Sequence, residues 1–146
     1  METLHFSTTI QAPREKVWEL LWNHDSYREW TAVFSEDSDV ETDWKQGSKV
    51  YFHDGKGQGM VARIEETRAP EFLSFMHLGT VKDGVEDLES EAVKKWSGAR
   101  ENYTLKEING GTELLIDMDT TDMKDYFLKT WPLALDKIKA MAENRN

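Results

Sequence analysis

At 146 residues with 38 % hydrophobic side chains, the chain has the length of about one domain and can bury roughly two-thirds of its extended surface. Its 28 acidic residues against 18 basic ones give a net charge of −10, which argues against nucleic acid or an anionic membrane surface as a partner. The absence of cysteine removes disulfides, thiolate metal sites and cysteine catalysis, and no apolar run nears the ~20 residues of a membrane-spanning helix.

The N-terminus, Met1-Glu2-Thr3-Leu4-His5, lacks the basic start and apolar stretch of a signal peptide, so a single cytoplasmic domain over residues 1–146, without membrane insertion, is expected. Residues 2–11 alternate, with Leu4, Phe6, Thr8 and Ile10 on one face, and predict a half-buried strand. Pro13 suits the first position of a helix over 13–23, where Val17, Leu20, Leu21 and, a turn on, His24 form a stripe. His24-Asp25 are expected to break it, and a short helix from Ser26 to Thr31 carries Tyr27 and Trp30.

An acidic stretch follows: Glu36, Asp37, Asp39, Glu41 and Asp43, with no base among them. Asp37-x-Asp39-x-Glu41 echoes the start of a calcium loop, but Thr42 stands where the turn glycine belongs and Ser48 where the bidentate Glu belongs. Solvated strand and loop faces are the better reading.

Strands are predicted over Lys49–His53, Met60–Thr67 and Phe72–Thr80. Gly55, Gly57 and Gly59 alternate between the first two, but β-patterns on both sides and no following Gly-Lys-Ser/Thr exclude a phosphate loop and leave a hairpin turn. Residues 81–95 are charged and sparsely apolar and read as a loop with one helical turn. Strands at Trp96–Ile108 and Glu113–Asp119 are joined by Asn109-Gly110-Gly111, a strong hairpin signal. A second acidic stretch overlaps the last of these: Glu113, Asp117, Asp119, Asp122 and Asp125 against Lys124.

From Asp122 onward Met123, Phe127, Trp131, Leu135, Ile138 and Ala142 recur at helical spacing. Pro132 lies inside that pattern and predicts either a kink or a short helix followed by a longer one. The whole is an α+β chain: about six antiparallel strands, two short helices after strand 1, and a long C-terminal helix across the sheet's inner face.

Three stretches carry a resemblance. Thr9-Ile10-Gln11-Ala12-Pro13 through Leu21, Gly59-Met60-Val61-Ala62-Arg63-Ile64 through Phe75, and Trp131-Pro132-Leu133-Ala134-Leu135 through Lys139 resemble the opening, mid-sheet hairpin and final helix of the SRPBCC (START-like, birch-pollen-allergen-like) superfamily. Within it, the chain looks most like relatives of the C-terminal domain of the activator of the heat-shock-protein-90 ATPase. The resemblance implies a helix-grip fold, a curved antiparallel sheet wrapped around the long C-terminal helix. It also implies a cavity between them, of the kind that holds lipids, sterols or polycyclic aromatics.

The pattern of faces suggests what would line it. Met60, Ala62 and Ile64 share a face; so do Ala99, Glu101, Tyr103 and Leu105. Leu73, Phe75 and His77 share one too, although that strand is apolar on both sides and its opposite register stays open. Phe127 and Trp131 come from the helix, Tyr51 from the strand Lys49–His53, and Trp30, Phe34 and Trp96 are placed near the mouth. Five or six aromatics are expected to face the cavity, the rest to fill a distributed core, and the acids to lie on two edges apart from it.

A carboxylate on an apolar face is costly unless paired or solvated, which makes Glu101, with His77, a candidate polar anchor. The alternatives are a surface Glu101 or an ion pair with Arg63 or Arg100. His53 and His77 sit on strands separated by one other, and no four suitable ligands are evident, so no metal and no cofactor are expected. The favoured function is non-catalytic binding of a small hydrophobic ligand. Two others stay open. One is a co-chaperone-like stress adaptor using its acidic stretches on a basic chaperone partner. The other is a cyclase-like enzyme with Glu101 and His77 or Tyr103 as acid and base.

Overall fold

The computed structural model describes residues 1–143. β1 (Glu2–Ile10) leads through Pro13 into α1 (Arg14–Trp22) and α2 (His24–Thr31). Asn23 separates the helices: its backbone is extended and its side chain accepts a hydrogen bond from the Asp25 amide. His24 and Asp25 therefore open the second helix instead of ending the first, and His24 turns out to solvent.

The chain then forms β2 (Asp39–Glu41), β3 (Lys49–His53), β4 (Gln58–Arg68) and β5 (Phe72–Lys82). After a tight turn come β6 (Val85–Asp87) and the one-turn helix α3 (Glu91–Lys94). β7 (Arg100–Ile108) and β8 (Gly111–Thr120) follow as a hairpin whose turn holds Asn109 and Gly110 at φ of 41° and 83°, the left-handed geometry Asn-Gly favours. α4 (Lys124–Ala142) ends the described chain.

The strands make one curved antiparallel sheet in the order β1-β8-β7-β5-β4-β3-β2, with β6 on the upper part of β5. Two three-residue strands, β2 and β6, raise the expected six to eight. β6 replaces part of the loop read over 81–95, and residues 96–99 are a turn instead of the start of β7. β5 divides its free edge. Phe72–Met76 pair with β7, and Thr80–Lys82 pair with β6. The changeover falls at Leu78, the residue skipped in the register between β4 and β5. Gly79 is required there, since a Cβ would lie 2.1 Å from the Asp87 carbonyl oxygen.

α4 is a single helix despite Pro132. Pro132 is exposed, while Trp131, Ala134, Leu135, Ile138 and Ala142 bury the opposite side against β1 and α1. Burial of that stripe outweighs the lost hydrogen bond to Leu128. Trp22 stands at the centre of the core. Its ring meets Tyr27, Trp44, Phe75 and Tyr103 at centroid distances of 6.5, 5.3, 5.5 and 4.8 Å.

Candidate functional site

The gripped helix does not fill the sheet's concavity. A cavity of about 470 Å³ remains between the first half of α4, α2 and the inner face of β3, β4, β5, β7 and β8. Period-two alternation selects the side chains that reach it: Glu101 and Tyr103 from β7, His77 from β5, Met60 from β4, Met118 from β8. Eight aromatic rings contribute to the wall. Phe34 meets Trp131 edge to face at 5.0 Å, and Trp30 and Tyr103 each lie 6.1 Å from it. Trp30 is fixed by its indole N–H, which donates to the Leu21 carbonyl at 3.1 Å.

A short polar chain interrupts this apolar wall. His77 Nε2 lies 3.0 Å from Glu101 Oε1, and the Tyr103 hydroxyl donates to the other Glu101 oxygen. His77 Nδ1 is buried and has no hydrogen-bond partner. The neutral ring protonated at Nε2 fits this pattern, because only a lone pair is then left bare at Nδ1. Burial, then the Glu101 charge and hydrogen bond, push the Tyr103 phenol well above its ordinary value. Burial does the same to Tyr27, helped by the nearby charges of Glu101 and Asp39. Tyr27 is 6 % exposed and lines the cavity.

Nine of the eleven candidates meet around this cavity: Trp30, Phe34, Met60, His77, Trp96, Glu101, Tyr103, Phe127 and Trp131. Two do not. Tyr51 is on the outer face, where its hydroxyl donates to Glu86 at 2.6 Å and its ring stacks on His53. Phe75 faces inward but is wholly buried beneath Phe52, Trp22 and Tyr103. Trp30 lies deep in the wall, not at the mouth, and is 1 % exposed. Trp96 is half-buried at the rim, as its place near a loop suggested.

Arg63 and Arg100 both pair with Glu65, so neither neutralises Glu101. His53, on the side of β3 opposite Phe52, pairs with Glu41 at 3.3 Å and does not approach His77. Among the described residues no group of three His, Cys, Asp or Glu side chains is placed to hold a metal ion.

Sequence reasoning missed Tyr27, Phe52 and Met118, and it set the acids apart from the cavity, whereas Asp119 and Asp122 line its rim. Tyr27 was legible as the residue one helical turn before Trp30. Phe52 alternates with Tyr51, and choosing between the two parities required knowing which face the helix covers. The rim acids follow from the β8–α4 junction ending over the opening, a placement that no local pattern encodes.

Open antiparallel sheet, long gripped helix and aromatic cavity together define a helix-grip protein of the SRPBCC (START-like) kind. The model of the Activator of Hsp90 ATPase homolog 1-like protein family matches residues 11–143, and the chain belongs to that family. No curated protein matches it. Solved structures share the fold at low identity. The solution structure of the Aha1 dimer from Colwellia psychrerythraea is 18 % identical with a TM-score of 0.73, over 98 % of this chain and 97 % of that one. A crystal structure from Mesorhizobium loti is 15 % identical with a TM-score of 0.74, over 99 % of each chain. A solution structure from Cytophaga hutchinsonii is 23 % identical with a TM-score of 0.73, over 99 % of this chain and 95 % of that one. Among the described residues no helix is long and apolar enough to cross a membrane.

Proposed function

We propose that the protein binds a small hydrophobic or aromatic molecule non-covalently in the cavity between sheet and C-terminal helix. The observation that carries this reading is a cavity of about 470 Å³, walled by aromatic rings and holding the His77–Glu101–Tyr103 chain. Small-molecule sites of roughly 300–1,000 Å³ share this make-up of apolar wall and few polar groups. Glu101 holds two hydrogen bonds from its neighbours, which suits it to fixing a ligand's polar group. The test is tryptophan fluorescence and amide chemical shifts titrated with fatty acids, sterols and flavonoids. Saturable shifts centred on Trp131, Tyr103 and Trp30 support the reading. A flat response to every class refutes it.

A second reading is an adaptor of the chaperone-activator type, favoured by the name of the matching family. Its contact surface would be the acidic stretch from Glu36 to Asp43, which runs along the edge strand β2. Capture of a chaperone ATPase that weakens as salt rises would support it; a salt-independent or absent interaction would count against it.

A further inference from the structure

We propose that the molecule held in this cavity carries a positive nitrogen, as a protonated or quaternary amine on an apolar or aromatic body. The inference rests on the reading of the cavity as a ligand site and adds to it the chemical class of the ligand.

The charges that face the cavity are acidic. Glu101 lies within it, Asp119 and Asp122 at its rim, and no Lys or Arg is among the described residues that line it. Lys124, two residues past the rim, is held by Glu2 at 3.2 Å. Asp119 alternates with inward-facing Met118 and turns its carboxylate to the outer face, where one oxygen accepts from Thr3 Oγ1 at 2.5 Å and the other from the Arg100 amide at 2.9 Å, so the charges aimed at the cavity are those of Glu101 and Asp122. His77 is already engaged by Glu101 through Nε2. An anionic head group entering this site would meet Glu101 in a poorly solvated space with no Lys or Arg beside it, a costly juxtaposition.

The rings point the same way. Trp30, Phe34, Tyr103 and Trp131 surround one volume at interplanar angles of 40–65° to Trp131, so several π faces and edges converge on it. Aromatic walls backed by carboxylates attract cations, most strongly where water is displaced. Two buried polar atoms at the same wall are left without partners, His77 Nδ1 and the Trp131 indole nitrogen. His77 Nδ1 can accept from an ammonium N–H of the occupant.

The experiment uses the full chain and three probes of one shape: 2-(1-naphthyl)ethylamine, 2-(1-naphthyl)ethanol and 1-naphthylacetate. Binding is read by amide chemical shifts and calorimetry near neutral pH. The amine is expected to bind at least about tenfold more tightly than the alcohol, and the acetate more weakly than either. Glu101→Gln should remove most of the amine's advantage over the alcohol. Asp122→Asn, an exposed change at the rim, should trim the amine's advantage without touching the core. Equal affinity for amine and alcohol, or preference for the acetate, overturns the charge assignment and leaves cavity binding standing. Absence of shifts with all three probes overturns cavity binding and this inference with it.

Discussion

Replacing Tyr103 by Phe removes one hydroxyl from a wholly buried ring and leaves its contacts with Trp22, Phe75 and Trp131 in place. Near neutral pH the loss is a hydrogen bond to a carboxylate, worth about 1.5–3 kcal/mol. Glu101 faces the cavity, so solvent offsets part of that, and the lower end, about 1.5 kcal/mol, applies. The informative quantity is how this gap changes with pH. An unfolded phenol ionises near its ordinary value of about 10, whereas that of folded Tyr103 ionises well above it. Below about pH 10 both states keep the proton and pH has no effect. Above it the unfolded chain releases a proton that the folded chain retains, so stability falls as pH rises, until the folded phenol ionises too. Wild type should lose about 1.4 kcal/mol from this tyrosine by about pH 11, and Tyr103→Phe loses none of it. Most of the gap between the two proteins should therefore close between about pH 8 and pH 11. Tyr27, Tyr51 and Lys49, whose values are also raised, act on both proteins and cancel in the difference. Urea titrations followed by tryptophan emission at the two pH values measure it. A gap that stays constant, or widens, would mean that Tyr103 ionises as an ordinary phenol and is not held by burial and Glu101.

Other perturbations test the architecture. Trp131→Ala, at a residue 1 % exposed, should cost about 3–5 kcal/mol, while Trp96→Ala at the rim should cost under about 1 kcal/mol; similar urea midpoints for the two would contradict the assignment of core and mouth. Gly79→Ala drives a methyl into the Asp87 carbonyl, so amide protection along β6 should collapse with a loss of about 1–3 kcal/mol, and unchanged exchange there would refute the close approach. Pro132→Ala restores a helix hydrogen bond at an exposed site and should gain about 2 kcal/mol after the unfolded chain's added freedom is deducted, seen as a higher melting temperature; a fall would show that the proline is needed by the packing of α4.

The long elements were readable because their patterns are strong. β1, α1, the β7–β8 hairpin and the stripe of α4 each repeat a period over several turns or pleats, and Asn109-Gly110 dictates its turn. Short elements were not. β2 and β6 are three residues each and exist because β3 and β5 offer unpaired edges, which is a property of the neighbour's position and not of Asp39–Glu41 or Val85–Asp87. The polar chain was half legible: Glu101 and Tyr103 share a face by simple alternation. That His77 meets them depended on the β5 register, which an all-apolar strand leaves open and the pairing of Phe75 with Glu101 fixes. The meeting of Trp22 and Trp44 at the heart of the aromatic core was not legible in the sequence. Trp44 reaches Trp22 from a loop residue at φ 65°, which no periodicity announces.

The divided edge of β5 bears on how such a protein can diversify. Everything from Asp83 to Ala99 hangs from the upper part of β5 and returns to β7 without contributing a strand to the pairing between β5 and β7. The segment is thus a cassette: its length and side chains can change while the grip on α4 stays intact. Trp96 and Ala99 reach the cavity from this cassette, so exchanging it would re-tailor the entrance, provided the buried Val93 and Ala99 are kept. Grafting foreign segments between Lys82 and Arg100 is accordingly the natural route to altering what this scaffold admits.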